Sequence, residues 1–300
     1  MIGLCYRHAV VTGGNKGIGF EICQQLASNG ITVVLTARDE KRGIEAVEKL
    51  KKEFGLSDHL LFHQLDVTDP KSIQSLANFI KTQFGKLDIL VNNAGIIGSG
   101  VNQEAFAAVY ASGEKVDFAK VDWSKILIEK LEYAEAGIRT NYYGAKLMCE
   151  ALIPLLELSD SPRIVNVSAT LGILEKIPNG WGKEVLSDAE SLTEEKVDEV
   201  LNQYLKDFNE GSLETKGWPR NFSAYTLSKA AMNAYTRILA KKYPSFCINS
   251  VCPGYVKTDL NFNTGPGSVA EGSESVVRLA LLPNGGPSGL FFSRSEVAPF

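Results

Sequence analysis

Cysteine and histidine are scarce in this 300-residue chain. Its cysteines (Cys5, Cys23, Cys149, Cys247 and Cys252) are odd in number and widely scattered, no Cys-x-x-Cys pair occurs, and only His8, His59 and His63 supply imidazole. That pattern argues against a zinc site or a disulfide framework; no metal is expected, and the thiols read as free in a reducing compartment. A surplus of one charge is also lacking. The net charge of −4 gives no electrostatic reason to expect nucleic acid or an anionic membrane as partner. No apolar run approaches the ~20 residues of a membrane span. Met1 to Tyr6 are too few for the apolar core of a signal peptide, and Val297-Ala298-Pro299-Phe300 is neither an ER-retention nor a peroxisomal signal. The expectation is a cytoplasmic protein with no nucleic-acid or membrane partner.

What is present is an ordinary globular balance, 44% apolar and 22% charged. Strand-like and helix-like segments alternate. Ala9-Val10-Val11, Val33-Val34-Leu35, Leu60 to Leu65, Leu87 to Val91, Ile164 to Val167 and Cys247 to Val251 are short apolar runs. Between them lie helical patterns: Ile18, Ile22, Cys23, Leu26 and Ala27 before Gly30, then Ile73, Leu76, Ala77, Ile80 and Phe84 between Asp69-Pro70 and Gly85. Continuous apolar strands joined through helices imply an α/β fold, a doubly wound parallel sheet of about seven strands covered on both faces. We expect one Rossmann-like domain over 1–300, interrupted near 98–130 and 171–222 by insertions that would act as lids beside the ligand-binding edge.

The chemistry-bearing residues fall at strand ends, where such sheets bind ligands. Gly13-x-x-x-Gly17-x-Gly19 joins the first strand to the first helix; with Asn15 and Ile18 it would bring backbone N–H groups to a pyrophosphate. Lys16 and Arg38 add positive charge where a 2′-phosphate would lie, which favours NADPH, although Asp39 beside Arg38 blurs the contrast with an acid that holds a ribose diol. Asp66 ends the third strand and could receive an adenine amino group, with Val67 beside the ring, or could simply cap a turn. Asn92, Ala94 and Gly95 end the fourth strand where a flat cofactor must pass. Far downstream, Tyr225 and Lys229 stand at i and i+4, on one helix face. An ammonium there is expected to depress a phenol pKa of about 10, so that Tyr225 could protonate a carbonyl oxygen. Asn141 lies mid-helix, where Asn is a poor helix former, and a local distortion freeing a backbone carbonyl would explain it.

Together T-G-G-N-K-G-I-G, L-D-V-T-D, N-N-A-G, Y-T-L-S-K and Cys252-Pro253-Gly254-Tyr255-Val256-Lys257-Thr258 closely resemble the short-chain dehydrogenases/reductases over essentially the whole chain. F-G-K-L-D-I-L-V-N-N-A-G and the long insertion ending in Gly217-Trp218-Pro219 are similar to its plant carbonyl-reductase-like branch, that of the salutaridine and menthone/neomenthol reductases. The resemblance implies an NADPH-dependent carbonyl reductase acting on a bulky apolar terpenoid or alkaloid ketone. It implies Tyr225 as proton donor, Lys229 on the nicotinamide ribose, Asn141 holding a relay water, and Pro253, Gly254, Val256 and Thr258 along the nicotinamide amide. It also implies a monomer, because the 171–222 insertion would cover the surface through which related subunits pair.

One departure stands out. The family's catalytic serine falls on Ala169 in Asn166-Val167-Ser168-Ala169-Thr170. Ser168 should face away from the site, since neighbours on a strand alternate, whereas Thr170 could reach in. Three readings stay open: Thr170 or a water replaces the serine hydroxyl, the alanine is a laboratory serine-to-alanine change, or the site has been turned to cofactor binding without turnover, or to cyclisation or isomerisation. Trp181, Phe222, Tyr142, Leu171 and Met232 are candidate pocket residues that could equally be core.

Overall fold

The structure, a computed structural model, describes residues 7–110, 116 and 120–300. Met1 to Tyr6 with Cys5, and 111–115 and 117–119 of the first insertion, lie outside the described residues. An eight-stranded sheet runs in the order β8-β7-β6-β5-β4-β1-β2-β3. Its strands are β1 (His8–Val11), β2 (Thr32–Ala37), β3 (Leu60–Gln64), β4 (Ile89–Asn92), β5 (Arg163–Val167), β6 (Cys247–Cys252), β7 (Phe291–Ser293) and β8 (Glu296–Ala298). All pairings are parallel except β7 with β8. The six strands expected from apolar runs are present within two residues at each end. The short antiparallel β7–β8 edge raises the count above the seven expected.

The helices are α1 (Gly17–Ser28), α2 (Glu40–Phe54), α3 (Pro70–Phe84), α4 (Gln103–Tyr110), α5 (Leu131–Ile138), α6 (Gly144–Leu156), α7 (Trp181–Ser187), α8 (Glu194–Asn209), α9 (Ser223–Lys242) and α10 (Val269–Ala280). Local chemistry sets their ends. Asp69 caps α3 by accepting from Lys71 N, Pro70 occupies its first position, and Gly85 stops it in the left-handed region. One apolar layer (Leu76, Ile80, Leu152, Tyr235) fills one face of the sheet and another (Ile22, Leu26, Leu50, Val276) the other. Strand order reverses between β1 and β4, so a crevice opens there at the C-terminal edge.

Both insertions carry structure of their own. The first forms a two-stranded ribbon, Gly100–Val101 with Leu127–Ile128, and α4. The second forms a lobe from α7 and α8, whose inner side buries Val197, Val200, Leu201 and Tyr204. Lys146 of α6 holds that lobe through Asp198 at 2.8 Å and Glu194 at 3.4 Å. Tyr204 meets Ser223 at the start of α9 at 2.7 Å, and Trp218 donates to buried Asp207 at 2.8 Å. Among the described residues no helix is long and apolar enough to cross a membrane, and no cluster of His, Cys, Asp and Glu could hold a metal ion.

Candidate active site

The glycine turn is built for close approach. Gly13 and Gly17 have φ of +64° and +56°, which side chains with a Cβ resist. A Cβ on Gly19 would stand 2.3 Å from Gly13 O and 2.5 Å from Asn93 Nδ2, so α1 seats tightly behind the turn. The turn is tied to both neighbours: Gly14 N donates to Thr36 O at the end of β2 (2.8 Å), and Asn93 Nδ2 donates to Thr12 O (2.8 Å). Thr12 Oγ1 in turn accepts from the N–H groups of Asn93 and Ala94, each at 2.9 Å. Thr12 and Asn93 thus lock the cradle, a role that sequence reading missed although Thr12 opens the glycine motif. Asn15, Gly17 and Ile18 line the turn, partly accessible.

Charge beside this cradle is arranged for an anion. Arg38 is exposed and has no ion pair among the described residues. Asp39 caps α2, accepting from Arg42 N at 2.9 Å, with the Arg42 guanidinium 3.9 Å away. Its carboxylate is committed to a helix, not presented to a ribose diol. Lys16 is also exposed, and pairs with Asp259 at 2.8 Å. Asp66 takes the turn role, Oδ1 accepting from Thr68 N and Oγ1. Val67 turns its side chain onto Gly144 of α6, where a Cβ would meet it at 2.8 Å. Asn92 points inward as well, donating to Asn166 Oδ1 at 2.9 Å; at the cleft it can offer backbone only. The strand pleat buries it, and Asn93 is the member of the pair whose side chain reaches the turn.

Two of the residues singled out in the sequence, Asn141 and Lys229, converge on Gly95. A Cβ there would lie 3.2 Å from Asn141 Oδ1 and 3.5 Å from Lys229 Nζ. Asn141 sits in a π-turn, Arg139–Tyr143, the distortion its mid-helix position foretold. Its amide is fully engaged: Oδ1 accepts from Ile96 N (2.8 Å), and Nδ2 donates to Ile96 O and Ser228 Oγ, each at 2.9 Å. Ser228, missed in the sequence, links this amide to Tyr225 by donating to Tyr225 O at 2.8 Å. Lys229 Nζ donates to Val167 O at 2.8 Å, at the end of β5, and lies 5.7 Å from the centre of the Tyr225 ring.

Burial dominates the titration of this pair. It lowers Lys229 to about 8 and pushes the Tyr225 phenol above its ordinary value. The expected depression of the phenol by the ammonium is therefore corrected. Low dielectric penalises both charged forms, and an amine that loses its proton near 8 is already neutral when a free phenol would titrate. Lys229 still offers an exchangeable proton near pH 8, beside a phenol that holds its own more tightly.

Ala169 is half-buried and extended, with φ −152° and ψ 153°. Ser168 is buried, its Oγ directed at Lys229 O at 3.4 Å, so it faces away as the strand alternation requires. Thr170 is exposed and makes no side-chain hydrogen bond among the described residues, which leaves its hydroxyl accessible at the strand end. Beyond β6, Pro253 is buried and Gly254 takes φ +91°. Val256 buries its side chain against α10, and its carbonyl accepts from Asn261 Nδ2 at 2.7 Å, which leaves its N–H as its contribution to the site. Thr258 caps the 3-10 turn Asp259–Asn261, and its methyl would lie 3.5 Å from a Cβ on Gly17.

The rim is apolar. Ile96, Leu260 and Phe262 are each about two-fifths exposed. Phe262 meets Phe106 of the first insertion at 4.7 Å, and Phe222 meets Trp123 at 4.9 Å. Of the candidate pocket residues, Tyr142 and Met232 are core, and Trp181 is exposed on the lobe, whereas Phe222 and Leu171 are partly accessible near the site.

A family model described as short chain dehydrogenase matches residues 7–180. The chain is 62% identical over 296 residues to a (+)-neomenthol dehydrogenase of Arabidopsis thaliana, covering 98% of each. It is 36% identical to carbonyl reductase [NADPH] 1 of Rattus norvegicus, over 97% of this chain and 98% of that protein. The solved structure of salutaridine reductase from Papaver somniferum superposes with a TM-score of 0.90 at 53% identity, covering 96% of this chain and 99% of that one.

Proposed function

Since the chain belongs to the short-chain dehydrogenase family of oxidoreductases, we propose that it reduces the carbonyl of a bulky apolar small molecule, a terpenoid or alkaloid ketone, with NADPH. The observation that carries this reading is the meeting of Lys229 and Asn141 at Gly95, beside the glycine cradle, with Tyr225 joined to both: its ring centre lies 5.7 Å from Lys229 Nζ and its carbonyl accepts from Ser228, which Asn141 holds. The cradle fits a dinucleotide: a Cβ would fill it, and exposed Lys16 and Arg38 suit a 2′-phosphate while Asp39 is committed elsewhere. When bound, NADPH supplies the hydride.

The chain's own residues then do the rest. Tyr225 gives its phenolic proton to the carbonyl oxygen, and Lys229 beside it supplies the replacement. Asn141 pins Ile96 and Ser228, and through Ser228 the backbone of Tyr225, so the phenol is held in place. Gly13, Asn15, Gly17, Ile18 and Gly19 carry the pyrophosphate, Asp66 and Val67 border the adenosine side, and Asn92, Ala94 and Gly95 form the strand end past which the flat cofactor runs. Pro253, Gly254, Val256 and Thr258 border the nicotinamide. The apolar rim excludes water and favours an apolar ketone. Exposed just past the strand end, Thr170 is the hydroxyl we read as acting for the serine that Ala169 lacks.

The lobe's grip on α6 and α9 supports a monomer, because it covers faces of two helices that could otherwise pair. Light scattering that gave a dimer mass would overturn that part.

A second reading rests on Ala169 alone: a protein that binds the cofactor without turnover. Incubation with NADPH and a panel of cyclic terpenoid and alkaloid ketones separates the two. The reductase reading expects loss of NADPH absorbance with an alcohol as product; tight NADPH binding with no consumption across the panel would favour the second.

A further inference from the structure

The mechanism leaves one ion pair unused. Lys16 Nζ lies 2.8 Å from Asp259 Oδ2, joining the glycine turn to the loop that follows β6. The two residues are 243 positions apart, so the fold has brought them together. The loop has few other places to go. Thr258 rests on Gly17, Asn261 is tied to Val256 and Thr258, and Phe262 and Asn263 take φ of +53° and +60° to turn the chain. Asp259 is accordingly held over the side of the cradle that carries Lys16. Lys16 is the sole cation with which it pairs among the described residues; Arg42 adds a weaker attraction and Asn263 a hydrogen bond, and together these hold its carboxyl below the usual range.

On the reading that the cofactor is NADPH, the same ammonium is wanted by two anions. We propose that Asp259 is a specificity-determining residue for the cofactor: its carboxylate occupies Lys16 in the free protein and must yield it to the 2′-phosphate. Both partners are about three-fifths exposed, so the pair is weak and exchangeable. Arg38, with no ion pair among the described residues, meets the phosphate without competition. The free protein thereby keeps a neutral latch across its cradle, and a dinucleotide without the 2′-phosphate leaves that latch closed.

The test is the dissociation constants of NADPH and NADH, read from quenching of protein fluorescence, for the wild type, Asp259→Asn, Lys16→Met and the double variant. Thermal melts establish that each variant is folded. Asp259→Asn is expected to tighten NADPH roughly two- to fivefold, the range of an exposed ion pair, and to leave NADH unchanged. In the Lys16→Met background the same change should have no effect on either. If Asp259→Asn leaves NADPH unchanged, weakens both cofactors or tightens both alike, the competition does not exist and the inference falls. A wild type that fails to prefer NADPH over NADH would instead sink the cofactor reading itself, and this inference with it.

Discussion

Two buried charges at opposite ends of one sheet, Asp88 before β4 and Lys229 beside the end of β5, have been treated in opposite ways. Asp88 is surrounded: His8 N donates to it at 2.8 Å, Ser159 donates to its other oxygen, and Lys86 stands 3.2 Å away. Burial works against its charge, yet His8, Ser159 and Lys86 outweigh burial and hold the carboxyl well below the usual range. Lys229 has one neutral partner, Val167 O, and burial wins, bringing it to about 8. Full satisfaction makes a charge structural; leaving it under-satisfied at the ligand edge keeps its proton exchangeable near neutral pH. The charge is held fast at one end of the sheet and left exchangeable at the other.

The largest effect should come from the reactive end. Tyr225→Phe removes the proposed proton donor and should lower kcat/KM for ketone reduction on the order of 10²–10⁴-fold, with NADPH affinity within a few-fold by fluorescence titration. Next is the structural end: Asp88→Asn should cost about 3 kcal/mol in denaturant unfolding and leave turnover at 25 °C intact. Since the folded carboxyl titrates below its unfolded value near 3.9, its stabilisation is complete above that pH and fades as acid approaches the folded pKa. The wild type should therefore lose its advantage over the variant in acid.

Lys229 is shifted in the same direction as Asp88, with the opposite consequence at neutral pH. Its folded pKa of about 8 lies below the unfolded ~10.4, so the unfolded chain binds the proton better, and stability rises as pH climbs through that window. At pH 7 Lys229→Met should thus stabilise the protein, by about 1–3 kcal/mol, while impairing catalysis. A destabilised Lys229→Met would erase the contrast between the two ends. Smallest is Ala169→Ser, expected to raise ketone reduction at least about tenfold by restoring an oxyanion donor. No change there would show that Thr170 already serves.

Much of this was legible because it is local. Asp69-Pro70 and Gly85 bracket α3, the six apolar runs became strands, and Asn141 in mid-helix marked a π-turn. The i, i+4 spacing of Tyr225 and Lys229 placed them on one helix, α9. What escaped depends on contacts between distant segments. Nothing near Thr12 announces that it accepts from Asn93 and Ala94, nor near Asn92 that the sheet would turn it onto Asn166. The β7–β8 edge is three residues a side, too short for a periodic signal. The direction of the phenol's shift also escaped, because spacing gives the neighbour but not the depth of burial that overrides it.

The pH dependence of kcat/KM for ketone reduction tests the central claim most directly, because that ratio reports groups of the free enzyme. The wild type should show a rate that falls as pH rises through about 8, where Lys229 gives up its proton. Lys229→Met should be slow and lack that break. A wild-type profile that stays flat to pH 10, or a break that survives in Lys229→Met, would contradict the account.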